Sequence, residues 1–326
     1  MRLSESNLKI NLLRAGVKPP LQTFNIAHRG ARAFAPENTL PAFEKAKIFG
    51  CEMFELDVHM SRDGELIVHH DDDLKRCTDV EAKFPGRDSY YVSDFTYDEL
   101  LRLDAGSWYM EQLRLPRPQR QFFLQTLTDE ETAQFVSLRD RQFYASGDIK
   151  LPTLRQTLEL AVATEMMVNV EIKTIPRMYS GLTKAVVQLV EAMGLDHRVL
   201  ISSFDHEQLI EVRRLSNVIA TGVLTSDRLA KPSDYLRLLD ADAYNPGCYG
   251  DYDSIGFGSV SGKLESSGIM NVRAAGRGVN VWTCNDKYEM RELILAGVTG
   301  LITDFPNRLR DVRINEDLVP AISDVN

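Results

Sequence analysis

Ionisable residues recur at the ends of apolar, strand-like runs in this chain of 326 residues. Glu55 and Asp57 stand two positions apart in one such run, and Glu171 and Lys173 stand two apart in another. Because side chains alternate between the two faces of a strand, each pair is predicted to share a face. Carboxylate oxygens are the ligands that Mg²⁺ and Ca²⁺ prefer. The pattern therefore indicates a metal site built at strand ends.

Two histidines end further strand-like runs. His28, which Arg29 follows, closes the first run, and His70 closes another. Imidazole titrates near neutral pH, so a pair of histidines can accept and donate protons. Arg29 and Lys173 supply positive charge for an anionic group. Together with the carboxylates, these residues indicate metal-assisted cleavage of a phosphodiester.

The neighbouring histidines His69 and His70 are assigned by strand alternation. His70 shares a face with Leu66 and Val68, whereas His69 points the opposite way. We predict that His70 faces the site and that His69 is structural. His59 shares the face of the paired carboxylates and is predicted to lie behind the metal ligands or at the surface.

The composition narrows the class of function. A net charge of −9 and a pI of about 5.3 argue against a nucleic-acid partner. The four cysteines stand far apart without a C-x-x-C pair, so buried free thiols are expected. The first twenty residues lack the apolar segment of a secretory signal, and no run reaches the roughly 18 apolar residues of a membrane span. We expect a cytoplasmic protein without a transmembrane segment.

Short β-rich runs alternate with helical patterns, which predicts parallel strands joined in βαβ units. Because the ionisable residues spread over several strand ends, a TIM-type (β/α)8 barrel is favoured over an open doubly wound sheet, which gathers its site at one switch point. A barrel needs eight strands, so one of nine candidates is expected to lie outside it or to be spurious. The candidates are residues 23–27, 53–58, 65–70, 168–173, 199–203, 218–224, 241–245, 279–283 and 300–303.

The predicted domain organisation is a lead over residues 1–22, an α/β barrel over 23–314 and a C-terminal tail over 315–326. Residues 80–150 interrupt the alternation with weak periodicity and many charges. A segment of this length is usually functional or folded on its own. We predict an insertion over the mouth of the barrel. The competing interpretation is a surface elaboration with no role in the site.

Nine short motifs, in order along the chain, resemble the glycerophosphodiester phosphodiesterase family of phospholipase-C-like barrels. One such motif is weak support, but nine in family order are specific. The motifs are H-R-G-A at 28–31, P-E-N-T at 36–39, E-L-D-V at 55–58 with D-G at 63–64, V-H-H-D at 68–71, L-K-R-C-T at 74–78, E-I-K at 171–173, S-S-F at 202–204, V-W-T-C-N at 281–285 and T-D-F-P at 303–306.

The resemblance implies hydrolysis of a small-molecule phosphodiester to glycerol 3-phosphate and an alcohol, with Mg²⁺ or Ca²⁺ as cofactor. It also implies that the glycerol 2-hydroxyl attacks first and that water then opens a cyclic phosphate. The family positions correspond to Glu55, Asp57 and Glu171 as metal ligands, His28 and His70 as the acid/base pair, Arg29 and Lys173 near the phosphate, and Phe204 and Trp282 beside the glycerol.

Two alternatives stay open at this point. A lysophospholipase D or a phospholipase C-type enzyme would act on a lipid, and it would need an apolar path for an acyl chain. Aromatic residues in or beside the insertion could supply that path: Phe84, Tyr90, Tyr91, Trp108, Phe122, Phe123, Phe135 and Phe143. A binding module without activity is the other alternative. The leaving alcohol, the native metal and the oligomeric state are left open.

Two acidic residues are predicted to lie outside the site. Asp71 begins an acidic run that lacks the spacing of an EF-hand loop, so solvated turn residues are expected there. Asp304 precedes Phe305 and Pro306 and is expected to order a turn.

Overall fold

The structure, a computed structural model, describes residues 23–174, 179–249, 257 and 263–317. The predicted lead over 1–22 and most of the predicted tail lie outside the described residues. The strands are β1 (Phe24–Ala27), β2 (Met53–Met60), β3 (Leu66–Val68), β4 (Met167–Ile172), β5 (Val199–Ser203), β6 (Ala220–Thr225), β7 (Ala243–Pro246), β8 (Gly278–Val281) and β9 (Gly300–Thr303).

Eight of these strands form a closed parallel barrel. β1 pairs in parallel with both β2 and β9, and the others follow in the order β9, β8, β7, β6, β5, β4 and β2. The closure of the barrel removes both sheet edges that an open sheet would leave. The predicted TIM-type architecture is confirmed.

The remaining strand, β3, lies outside the barrel. It pairs antiparallel with β2, and Val58 faces Val68 in the register. The strand ends at Val68, so His69 and His70 follow it as irregular chain. Strand alternation therefore does not decide where these two histidines point, and their contacts do.

The described helices include the crossover helices that cover the barrel. Helix α7 begins with a capping box, in which the Thr153 hydroxyl accepts from the Gln156 amide and the Gln156 side chain binds back to the Thr153 backbone. Its buried residues include Leu154, Leu158 and Ala161. The helices are α1 (Leu40–Ile48), α2 (Val80–Lys83), α3 (Tyr97–Leu100), α4 (Ser107–Arg114), α5 (Asp129–Phe135), α6 (Leu138–Tyr144), α7 (Leu154–Thr164), α8 (Leu182–Ala192), α9 (His206–Leu215), α10 (Pro232–Leu238), α11 (Ser266–Ala274), α12 (Lys287–Leu295) and α13 (Pro306–Asp317).

Two expectations from composition concern cysteines and membrane spans. All four cysteines are buried and none forms a disulfide. In the part of the chain that the structure describes, no helix combines the length and the apolar character needed to cross a bilayer.

The insertion carries helices α2–α6 and packs against the barrel beside the first and last barrel strands. The Tyr109 hydroxyl donates to the Ala33 carbonyl over 2.7 Å, and Arg308 Nη2 lies 2.7 Å from Glu131 Oε2. Ala33 follows β1, and Arg308 lies in the first turn of α13 after β9. The insertion therefore lies at the carboxyl-end face of the barrel, where barrel enzymes place their sites.

Several aromatic residues of the insertion serve packing rather than an open apolar path. Phe135 contacts Phe34 and Phe49 of the barrel in edge-to-face geometry, with ring centroids 5.2 and 5.0 Å away. Trp108 is buried inside the insertion. Phe122, in contrast, is 79% exposed. The structure thus shows a shared aromatic core where the sequence suggested a channel for a lipid.

We expect Phe34→Ala to lower the free energy of unfolding by about 3–5 kcal/mol, because this fully buried ring joins the insertion to the barrel. Chemical denaturation monitored by circular dichroism measures the change. Leu138→Ala is the control: this side chain is 79% exposed, and its loss should alter stability by no more than about 0.5 kcal/mol. Equal effects of the two substitutions would contradict the shared core.

Candidate active site

Three buried carboxylates meet at one place in the barrel. Glu55 and Asp57 come from β2 and Glu171 from β4, where Asp57 and Glu171 are register partners. One oxygen of each lies within 4.8 Å of the others. The period-two spacing on β2 and the parallel register of β4 bring them together, as the sequence predicts.

Burial and mutual repulsion oppose full ionisation of this cluster. The pKa of Glu55 is raised well above its usual value, first by burial and then by the charges of Asp57 and Glu171. Burial also raises the pKa of Glu171. A bound cation would remove this repulsion.

The oxygen-only donor set fits Mg²⁺ or Ca²⁺. Asp57 Oδ2 accepts a 2.8 Å hydrogen bond from Asn38, whereas Asp57 Oδ1 is buried and has no hydrogen-bond partner among the described residues. A buried carboxylate oxygen without a hydrogen bond is costly unless a cation neutralises it. The residues present therefore fit a divalent metal at Glu55, Asp57 and Glu171.

The raised pKa of Glu55 gives a pH prediction for metal binding. A metal must displace the proton that the metal-free carboxyl holds, so we expect affinity to fall as the pH falls through this raised pKa. Calorimetry in two buffers of different ionisation enthalpy measures the released protons. The exposed Glu44→Gln variant keeps all three candidate ligands and is the control: it should release as many protons as the wild-type protein. An affinity that stays constant between about pH 5 and pH 8 would contradict this prediction.

His28 lies beside the cluster and is held by Asp304. Its Nδ1 is 2.8 Å from Asp304 Oδ1, and its Nε2 is 3.9 Å from Glu55 Oε2. Arg32 binds both oxygens of Asp304 and, despite burial, holds the pKa of that carboxyl well below its usual value. An ionised carboxylate only accepts hydrogen bonds, so Nδ1 of His28 carries the proton and Nε2 presents a lone pair.

His70 has a matching arrangement. Its Nδ1 lies 2.6 Å from Asp71 Oδ1, and Arg76 Nε donates to Asp71 Oδ2 over 2.6 Å. The charge of Arg29 lowers the pKa of the His70 ring and the charge of Asp57 raises it, so His70 lies near both groups. Each of the two predicted acid/base histidines is thus bound through Nδ1 to a carboxylate that an arginine holds.

The ring pKa values favour neutral histidines. Burial and the charges of Arg32 and Arg29 lower the pKa of His28 to about 4. Burial and the charge of Arg29 lower the pKa of His70 to about 3. Neutral imidazoles can accept a proton, which suits the start of a hydrolytic reaction.

The other two histidines near the site have structural contacts. His69 is buried, with Nε2 2.9 Å from the Asp73 carbonyl. His59 binds the His70 carbonyl through Nε2 at 3.0 Å and the Tyr179 hydroxyl through Nδ1 at 2.8 Å. His59 therefore supports the backbone of His70 from behind the carboxylate cluster.

The two cations predicted near the phosphate lie within the cluster. Lys173 Nζ is 2.8 Å from Glu171 Oε1 and 3.6 Å from Asp57 Oδ1, and these carboxylates raise its pKa despite burial. The Arg29 guanidinium lies 2.9 Å from Glu37 Oε1 and 3.5 Å from Asp57 Oδ2, and these carboxylates raise its pKa despite burial. Both cations thus stay charged beside the candidate metal site, where they can bind an anion.

Phe204 and Trp282 form an aromatic pair on another side of the site. Their ring centroids are 5.3 Å apart at an angle of 88°. Trp282 Nε1 donates to the Asn245 carbonyl over 2.8 Å, which fixes the indole. Phe204 shares a cavity with Glu171 and Lys173. The structure therefore brings together the aromatic and charged residues that the sequence singled out.

Sequence reasoning missed the carboxylates that hold the histidines. Asp71 is not a solvated turn residue, because it binds the His70 ring and Arg76. Asp304 does not merely order a turn, because it binds His28 and Arg32. Both follow a strand-like run directly, a position that could have marked them.

Comparison with known proteins places the chain in a family. The profile of the glycerophosphoryl diester phosphodiesterase family matches residues 28–308. The chain belongs to this family. A glycerophosphodiester phosphodiesterase of Bacillus altitudinis is 30% identical over 293 residues, which cover 90% of this chain and 98% of that protein.

Two solved structures have the same fold as this chain. A putative glycerophosphoryl diester phosphodiesterase from Silicibacter pomeroyi has a TM-score of 0.70 at 22% identity, covering 95% of this chain and 98% of that one. An Oleispira antarctica phosphodiesterase, solved with the product sn-glycerol-3-phosphate, has a TM-score of 0.65 at 25% identity, covering 88% and 95%. The chain is thus a phosphodiesterase of the glycerophosphoryl diester family, as its motifs predicted.

Proposed function

We propose that this phosphodiesterase hydrolyses glycerophosphodiesters to glycerol 3-phosphate and an alcohol, with a divalent metal at Glu55, Asp57 and Glu171 and proton transfer by His28 and His70. One observation carries the proposal: two histidines, each bound through Nδ1 to a carboxylate, lie beside one buried cluster of metal-ligating oxygens. The product in the Oleispira antarctica structure supports the glycerol 3-phosphate half of the substrate.

The cations bind and orient the phosphate. Arg29 presents a fork of donors and Lys173 a compact charge, and both stay protonated in this site. When bound, Mg²⁺ or Ca²⁺ would polarise the phosphoryl oxygens. The pair Phe204 and Trp282 supplies an apolar wall for the glycerol carbons.

The two histidines divide the proton transfers. As one Nε2 takes the proton of the attacking glycerol 2-hydroxyl, a P–O bond forms and the P–O bond to the leaving alcohol breaks. The other histidine gives its proton to the leaving oxygen, and the negative charge of the phosphate favours the protonated state that this requires. Water then opens the cyclic phosphate with the two roles exchanged. Asp304 and Asp71 keep both rings in the required tautomer.

A panel of diesters tests this function. The metal-loaded protein is given glycerophosphocholine, glycerophosphoethanolamine and lysophosphatidylcholine. The release of glycerol 3-phosphate from the soluble diesters is measured with a coupled dehydrogenase, and the release of lysophosphatidate from the lipid is measured by mass spectrometry. We expect release from the soluble diesters. No release from any of them, or turnover of the lipid alone, would contradict the proposal. The small-molecule substrate and the cytoplasmic location stay predictions.

A further inference from the structure

One short segment of the insertion, Gln121–Phe123, reaches the arginines behind both histidines. The Gln121 Oε1 atom accepts a 3.1 Å hydrogen bond from Arg76 Nη1. The guanidinium carbon of Arg32 lies 4.1 Å from the centroid of the Phe123 ring. This segment is about ninety residues from His28 in the chain, yet it touches the supports of His28 and His70 alike.

The two arginines belong to one ion-pair network. Arg76 Nη2 lies 2.6 Å from Glu37 Oε1, and Arg32 Nη1 lies 3.5 Å from Glu37 Oε2. Since Arg76 holds Asp71 and Arg32 holds Asp304, the buried Glu37 carboxylate joins the supports of the two rings.

Contacts on the edges and on the face of the guanidinium fix it differently. Carboxylates bind the edges of the Arg32 guanidinium, but these in-plane contacts do not prevent the group from tilting out of the plane. Packing against its face does. The Phe123 ring covers one face of the Arg32 guanidinium. Both side chains are buried, with Phe123 7% exposed and Arg32 9% exposed, so little water reaches this face. Loss of this cover would leave the orientation of Asp304 less well determined.

The segment is itself held in place. It leads into the short 3₁₀ turn Phe122–Leu124, and the Gln121 amide donates to the Gln112 side chain over 2.7 Å. Leu124 is fully buried. The segment is therefore a fixed point against which the arginines can rest.

We propose that Gln121 and Phe123 are positioning residues for both histidines and act through Arg76 and Arg32. The inference rests on the proposed function and deepens it. It assigns the insertion a part in the chemical step, beyond covering the mouth of the barrel. A small misplacement of a catalytic group can lower a rate by about 10²-fold, so partial loss of support has a measurable effect.

Kinetics of three neighbouring substitutions test the proposal. We expect Gln121→Ala and Phe123→Leu each to lower kcat on the order of tenfold with KM changed by less than about twofold, and by the same factor for each soluble diester. Phe122→Ala is the matched control, because this side chain points into solvent. Its kcat should stay at the wild-type value. Thermal melting shows that each variant is folded, and Gln121, which is only half-buried, remains informative if Phe123→Leu does not fold.

The ¹⁵N signals of the histidine rings give a readout that needs no turnover. In the wild-type protein we expect His28 and His70 to show protonated Nδ1 and bare Nε2. Phe123→Leu should shift the His28 signals toward a mixture of tautomers, and Gln121→Ala those of His70. Absence of diester hydrolysis by the wild-type protein would overturn the proposed function while leaving this readout intact. Folded variants with wild-type kcat and unchanged ring signals would overturn the positioning role.

Discussion

Turnover falls by at least about 10³-fold, or about 4 kcal/mol of transition-state stabilisation, when Glu55 is replaced by Gln, Asp57 by Asn or Glu171 by Gln. This is the largest effect that we expect. Each substitution removes a negative charge from a buried cluster whose oxygens lie within 4.8 Å of one another, so the cation loses a ligand. Steady-state kinetics measure the loss, and chelation by EDTA should reproduce it in the wild-type enzyme until Mg²⁺ or Ca²⁺ is added back.

The control for this prediction is Glu44→Gln, which removes an exposed carboxylate from α1. It should leave both turnover and metal affinity unchanged. The cluster variants should keep the circular dichroism spectrum of the wild-type protein, because they keep the size of each side chain. Full activity of a rigorously metal-free protein would rule out the metal site.

Replacement of either His28 or His70 by Ala should lower kcat on the order of 10²-fold or more, about 2.7 kcal/mol of barrier. Each ring is fixed by a carboxylate at Nδ1 and lies next to the metal-ligating cluster, so each loss stops one proton transfer. His69→Ala is the matched control from the same turn. Its kcat should change by less than about tenfold, because among the described residues the His69 ring hydrogen-bonds only the Asp73 backbone carbonyl.

The two histidines of the turn can be distinguished further by metal affinity. A His70→Ala variant should still bind the metal with wild-type affinity, since no ligand has been removed. A His69→Ala variant that is folded, binds the metal and has no activity would reverse the assignment of the pair.

The carboxylate cluster could be predicted because the positions of its members depend on regular structure. Glu55 and Asp57 share a face through the period of a single strand, and Glu171 joins them through the register of its neighbour. The barrel followed from the alternation of strands and helices. These features are local or repeat along the chain, so a single sequence contains them.

The position of β3 outside the barrel could also have been predicted, from the small number of residues between β2 and β3. Met60 and Leu66 are too close in sequence for the crossover that parallel strands require, so the second strand must turn back on the first. Its apolar alternation alone looks like that of a barrel strand. The position of the His70 side chain could not be predicted by strand alternation, because His70 lies in irregular chain after β3.

The supports of the histidines could not be predicted because they depend on loops that meet from distant parts of the chain. Asp304 and His28 are separated by 276 positions, and Gln121 and Arg76 by 45. Acidic and basic side chains are common in any loop, and only the folded backbone selects those that pair. The packing of Phe135 of the insertion against Phe34 and Phe49 could not be predicted for the same reason, since it depends on how the insertion docks on the barrel.

The seam at which β1 meets β9 has a consequence for the synthesis of this enzyme. The His28 amide binds the Thr303 carbonyl, and the His28 ring binds Asp304, so this half of the acid/base pair is completed only when the last barrel strand arrives. On the ribosome, His28 is synthesised early, and Asp304, which binds its ring, is added only after the intervening strands. The three carboxylates of the cluster are all synthesised before Asp304, so the carboxylate that holds this histidine is added last. We therefore expect hydrolysis only after translation has passed β9, and its onset would report that the barrel has closed.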